Sequence, residues 1–317
     1  MKVIYKKLPS RRVNCVATIG TFDGIHKGHK FILDKVIKSA QRRKVSSLAI
    51  TFDLAPQQFL RRKHLHNTWR STKAFSGILS DLEQKIGFVQ PLGIDFLWFL
   101  KTRQRLLELS PEAFLGYIFS YFSIKELIVG EDFRFGYAGG GDVSYLKKVA
   151  SEFGFKLTVI AKTKFKQELI SSSLIRHHIR SAELKKVKQL LGRDFSLKGK
   201  VVKGRGIGRQ LKFPTANISA GDYVVPPRGV YAAYVILNKQ KYLAAVNIGR
   251  SPTLTSLKKC IIEAYFINFS KNILGKTIEI VFLKRLRDER KFSNSPSLQS
   301  AIAKDVRQIT SKYSIPS

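Results

Sequence analysis

The chain is short of acid. Its 317 residues carry 22 Asp and Glu against 57 Lys and Arg, a formal net charge of +35. It is also poor in cysteine. Cys15 and Cys260 stand far apart, each in an apolar strand-like run, which reads as two buried free thiols rather than a disulfide framework or a cysteine metal site. No apolar run reaches the length that crosses a bilayer. The basic start, MKVIYKKLPSRR, lacks the apolar core and small-residue cleavage site of a secretory signal. These absences lead us to expect a cytoplasmic protein with no membrane contact. Hydrophobic residues are not scarce: at 44% they exclude a disordered chain, and the length suits one large domain or two ordinary ones. Nothing in the sequence speaks to oligomeric state.

The basic excess is spread along the chain. Residues 184–317 hold 26 basic and 7 acidic residues, a net of +19, and residues 1–183 hold 31 and 15, a net of +16. Such a surface attracts polyanions. No single stripe interleaves the basic residues with aromatics, however, so nucleic-acid binding is disfavoured as the main role.

Two rhythms divide the sequence. In the first half, strand-like runs at 13–20, 46–52, 94–100, 125–130 and 156–161 alternate with helical patterns at 28–44, 80–90, 111–122 and 142–153. This predicts an α/β domain, a doubly wound parallel sheet with ligands at the carboxyl ends of its strands. In the second half, strand runs at 196–204, 229–237, 241–249, 260–269 and 276–286 precede one amphipathic helix at about 296–313. This predicts a small antiparallel β-barrel with a terminal helix. The boundary is expected at the helix of residues 183–194, giving domains 1–184 and 185–317.

The first βα junction reads TIGTFDGIHKGH, residues 18–29. Gly20 and Gly24 permit a sharp turn, Asp23 lies between them, and His29 falls in the first helical turn, where free N–H groups favour an anion. Gly20, Asp23, Gly24 and Gly28 with His26, Lys27 and His29 are together expected to form a phosphate site. A zinc pair would need a third protein ligand, and His64 and His66 are distant in sequence. In the second half, GRGIGR (204–209) is not a dinucleotide fingerprint. Its third glycine is misplaced, and Pro214 rather than a helix follows. Gly204, Gly206 and Gly208 read instead as a glycine-rich flap over phosphates. Glu263 is a lone acid in the apolar run CIIEAYFINF. The period-2 pattern allows it to face inward, or outward against a surface lysine.

GTFDGIHKGH resembles the signature of the HxGH-type nucleotidyltransferases, most closely the bacterial bifunctional riboflavin kinase/FAD synthetase family. VGEDFRFG (129–136), GDVSYLKKVASEFGF (141–155) and ISSSLIR (170–176) look like its later adenylyltransferase motifs. The run 190–218, GVYA, NIGRSPT, EAYFINF and RDERKF (287–292) look like its flavokinase motifs. The resemblance implies a two-module enzyme. It would phosphorylate riboflavin to FMN and then adenylylate FMN to FAD with release of pyrophosphate, using ATP and Mg²⁺. It implies that His26, His29, Ser171, Ser172 and Arg176 meet the ATP phosphates and that Asp132 lies near FMN or adenosine. It further implies that Thr215 and Asn217 hold Mg²⁺, that Glu263 is the base for the riboflavin hydroxyl, and that Arg287 and Phe292 lie near flavin or nucleotide. The alternatives are a kinase with an impaired adenylyltransferase domain, or a basic nucleic-acid-binding protein on the same fold.

Four places depart from the family pattern. Asp53-Leu54-Ala55-Pro56 stands where a Pro-His-Pro-like turn is usual. Lys101-Thr102-Arg103 replaces a phenylalanine loop, Lys212 replaces a glycine, and Ile273-Leu274-Gly275 replaces a Leu-Tyr-Gly turn. The first motivates the impaired-domain alternative.

Overall fold

The computed structural model describes every residue except 6–7, 64–74, 163, 166–167, 205–212, 251–259 and 316–317. His64, His66, Gly206, Gly208 and Lys212 therefore lie outside the described residues. The chain forms two compact units, Met1–Ser172 and Ser173–Ser317.

The first unit contains β1 (Lys2–Ile4), β2 (Val13–Ile19), α1 (Lys27–Arg43), β3 (Ser46–Phe52), α2 (Pro56–Arg62), α3 (Leu82–Val89), β4 (Phe96–Leu100), α4 (Gln104–Leu107), α5 (Pro111–Tyr121), β5 (Phe122–Gly130), α6 (Val143–Val149), β6 (Lys156–Ile160) and a short hairpin of β7 (Lys164–Phe165) and β8 (Glu168–Leu169). The six main strands form one sheet in the order β1-β4-β3-β2-β5-β6, every pairing parallel. Alternate residues of β2 feed two cores. Cys15, Ala17 and Ile19 join the face that packs against α5 through Phe114, Leu115 and Ile118. Val16 joins the other, with Leu33 and Val36 of α1. Both faces are covered, so the strands read as continuous apolar runs. The strand order reverses where β5 pairs with β2, which opens a crevice at their carboxyl ends.

The second unit is entered through α7 (Ser172–Arg180) and α8 (Leu184–Leu191). Helix α8 buries Leu184, Val187, Leu190 and Leu191, and His178 Nδ1 of α7 lies 2.5 Å from the Glu183 carboxylate that starts it. β9 (Phe195–Val202), β10 (Thr215–Ser219), β11 (Gly229–Leu237), β12 (Gln240–Arg250), β13 (Cys260–Phe266) and β14 (Thr277–Arg287) close a barrel in the order β10-β13-β12-β11-β14-β9. All its pairings are antiparallel. The terminal helix α9 (Ser295–Lys312) sets Ile309 and Val306 against Ala245, Leu243 and Tyr265 on the outside of the barrel.

Candidate active sites

The loop from β2 to α1 forms the floor of a pocket of about 590 Å³ at the strand ends of the first unit, within the range of small-molecule sites. Gly20, His26, Gly28, His29, Ser171 and Ser172 line its polar side; Phe52, Leu60, Phe114 and Phe133 are among its apolar walls. His26 is the N-cap of α1, its Nδ1 accepting the N–H of His29 at 3.2 Å. The two imidazoles stack with centroids 3.6 Å apart, and Phe22 meets His29 edge-on at 5.2 Å. The buried Nδ1 of His29 has no hydrogen-bond partner among the described residues, so no internal bond fixes its tautomer. Burial, with His26 and Lys85 adding to it, pushes the His29 pKa well below the ordinary histidine value. The ring is therefore neutral at pH 7, with an N–H available as a hydrogen-bond donor.

Asp23 is buried. Its carboxylate accepts the N–H groups of Leu79 at 2.9 Å and Ser80 at 3.1 Å. Ser80 Oγ in turn accepts the Gly24 N–H at 2.9 Å. Ser172 Oγ donates to the Asp23 carbonyl at 3.0 Å, which brings the serine run to the histidine loop. Arg176 lies one turn further along α7. Asp132 stands exposed at the pocket rim, paired with Lys162 at 3.1 Å.

In the barrel, Glu263 of β13 lies directly opposite Asn217 of β10 on one side and Asn247 of β12 on the other. Thr215 is two residues from Asn217, on the same face. The inward reading of Glu263 fails. Ile262, Ala264 and Phe266 are the buried residues of β13, and Glu263 alternates with them, half-buried on the outer face. A six-stranded barrel fills its interior with apolar side chains, so an acid in the run is turned outward. No ion pair of Glu263 with a lysine is found among the described residues; its strand neighbours are the two asparagines. Any side chain at Gly204 would strike the Asn217 amide, and one at Gly249 would strike the Glu289 carboxylate, with Asn247 Nδ2 beyond it. The backbone thus closes on this row from two sides. Asn247 and Glu289 had no role in the sequence reading, although both stand inside motifs it singled out. Arg287 grips Asp305 of α9 through the Nε–Nη2 edge of its guanidinium, at 3.0 and 2.7 Å, with Phe292 5.7 Å from its centre. Arg290 lies 4.8 Å from the same ring.

Thr215 and Asn217 offer two neutral oxygens on one strand face, a donor set that suits a hard divalent cation sharing its shell with phosphate oxygens. Among the described residues no cluster of three or more His, Cys, Asp or Glu is arranged to hold a metal. No helix among them is long and apolar enough to cross a membrane. Cys15 is a free thiol whose pKa burial pushes up to about 12.

Two family models match the chain in series: FAD synthetase over residues 8–174 and riboflavin kinase over residues 191–313. The chain is 34% identical to a bifunctional riboflavin kinase/FMN adenylyltransferase of Buchnera aphidicola, over 95% of this chain and 94% of that one. It is 30% identical to that of Escherichia coli K12, with 92% and 90% covered, and 31% identical to that of Listeria monocytogenes, with 96% of each covered. A crystal structure described as a macrolide-efflux protein from Streptococcus pneumoniae shares the fold at a TM-score of 0.82 and 24% identity, covering 98% of this chain and 99% of that one. With both family models in order and these relatives spanning nearly its whole length, the chain belongs to the bifunctional riboflavin kinase/FMN adenylyltransferase family.

Proposed function

We propose that the barrel unit makes FMN from riboflavin and that the parallel-sheet unit converts FMN to FAD. The observation that carries the reading is the row Asn217, Glu263, Asn247 beside Thr215 in one unit, together with the stacked His26–His29 pair at a helix N-terminus in the other. In the barrel, Glu263 accepts the proton of the riboflavin 5′-hydroxyl as that oxygen bonds to the γ-phosphorus of ATP and ADP leaves. Thr215 and Asn217 would hold Mg²⁺, which would supply neutralisation of the phosphate charge. Gly204 brings its own backbone against Asn217. Phe292 offers an aromatic face to the flavin, and Arg287 braces that ring.

In the first unit, a phosphate oxygen of FMN bonds to the α-phosphorus of ATP, and pyrophosphate carries away the electron pair of the broken bond. No covalent enzyme intermediate is needed, so the protein's work is positioning and charge stabilisation. The N-terminal turn of α1 with its dipole, the His26 and His29 rings, and Ser171, Ser172 and Arg176 receive the triphosphate. Asp132 at the rim takes the nucleoside or flavin side. Asp23 holds the loop. Both reactions consume ATP.

The test is a time course of purified protein with riboflavin, ATP and Mg²⁺, products separated by chromatography. FMN first and FAD second is the expected result. FMN alone would favour a kinase with a disabled first unit, the reading that residues 53–55 motivate. No flavin product would overturn the proposal and leave polyanion binding by the +35 surface as the reading to pursue.

A further inference from the structure

The loop that presents the histidine pair is strained. Phe22 and Ile25 adopt φ of 45° and 38°, and Gly24 adopts 82°. For Ile25, β-branched and fully buried, this region is costly. Such a conformation persists only where its surroundings fix it. Two carbonyls and one carboxylate of the loop are fixed from outside. The Thr21 carbonyl accepts both the Lys85 ammonium at 2.9 Å and the Thr51 hydroxyl at 3.1 Å. The Asp23 carbonyl accepts Ser172 Oγ, and its carboxylate takes the N–H groups at the approach to α3.

Lys85 is the unusual member of this set. It is a lysine 5% exposed in a chain with a large basic surplus, placed on α3, an element outside the quoted motifs. We propose that Lys85 is a positioning residue for adenylyl transfer, acting on His26 and His29 through the Thr21 carbonyl and through its charge beside His29. The inference rests on the adenylyl-transfer reading of the first unit. The charged and titratable groups that face Lys85 are Asp23 in the loop, Asp53 beyond β3, Asp81 at the start of α3 and His29 on α1. Burial lowers the lysine's own pKa, and the three carboxylates offset part of that cost. Its ammonium opposes protonation of His29. One side chain thus fixes the backbone of the phosphate loop and helps keep the neighbouring imidazole neutral.

The test uses the full chain with Lys85→Met and Lys85→Arg, FMN supplied, and riboflavin phosphorylation by the same preparation as the internal control of folding. Lys85→Met is expected to slow FAD formation on the order of ten- to a hundredfold while FMN formation is unchanged. NMR of ¹⁵N-histidine-labelled protein should show His29 titrating at higher pH in Lys85→Met and near its original position in Lys85→Arg, which restores the charge. FAD formation within twofold of the unaltered protein, or an unmoved His29 titration, overturns the inference. If Lys85→Met loses both activities, the Lys85→Arg variant decides, with recovery of FAD formation in support and continued loss with an intact kinase against. Failure of the unaltered protein to make FAD would overturn the adenylyl-transfer reading, and this inference with it.

Discussion

Asp53 Oδ1 accepts the backbone N–H of Thr102 at 2.8 Å, and the Thr102 hydroxyl donates to the Leu54 carbonyl at 2.5 Å. Asp53 Oδ1 also accepts the N–H of Leu54 at 2.7 Å. These bonds tie the turn after β3 to the turn after β4. The two turns are also two of the places where the sequence leaves the family pattern. In this chain each loop satisfies backbone groups of the other, beside the start of α2, whose Pro56, Gln57 and Leu60 line the pocket. Asp53→Ala should therefore destabilise the first unit by about 1–3 kcal/mol by orphaning two N–H groups, and slow FAD formation without touching FMN formation. Asp53→Asn, which keeps the acceptor, should cost less. Denaturant unfolding and the two product assays check both statements.

Glu263→Ala should abolish FMN formation, a loss of about 10²–10⁴ in rate, and leave conversion of supplied FMN to FAD intact. His29→Ala should do the reverse. The two variants are measured with each substrate supplied separately. Equal damage to both steps by either variant would overturn the assignment of one reaction to each unit.

Much of this was legible in the sequence, and the failures have physical causes. The parallel sheet was readable because its strands are buried on both faces and carry unbroken apolar runs such as SSLAITF. Strand β10 was missed because it is five residues long, follows Pro214 and alternates small polar residues; the resemblance had assigned Thr215 and Asn217 without placing them in the barrel wall. The capping role of His26 was not anticipated, since imidazole is an uncommon cap. The loop-bracing bonds of Asp23 were not legible, because its partners Leu79 and Ser80 are far away in sequence. Lys85 gave no signal, being one basic residue among 57. Its burial and its bond to Thr21 exist only in the folded chain.

Arg287 separates a bracing role from a flavin contact. Its bidentate bond to Asp305, a carboxylate 8% exposed, fastens α9 to β14. Asp305→Ala should destabilise the barrel unit on the order of 3 kcal/mol and loosen Phe292, because a partly buried guanidinium is left without its partner. Arg287→Ala should cost a similar amount for the mirror-image reason. Thermal unfolding of the two single variants and of the double variant checks the coupling, which should make the double loss well below the sum of the single losses. If Asp305→Ala is silent while Arg287→Ala raises the KM for riboflavin, the arginine acts on the flavin and not on the helix.

The depressed pKa of His29 makes the first unit sensitive to acid, and the sign follows from linkage. The unfolded chain binds a proton at His29 near pH 6.5, whereas the folded chain, where burial first and then His26 and Lys85 disfavour the cation, binds it only at much lower pH. Between those values the unfolded state holds more protons, so stability rises with pH there and is lost as pH falls below about 6.5, at no more than about 1.4 kcal/mol per pH unit for this one group. Above that range His29 is neutral in both states and contributes no slope. His29→Gln removes the titration while keeping a polar side chain. Unfolding free energies of the protein and the variant should run parallel above pH 7 and converge or cross as the pH is lowered towards 5, the unaltered protein losing more. Parallel curves over the whole range would mean that His29 takes up its proton as readily in the folded protein as in the unfolded one.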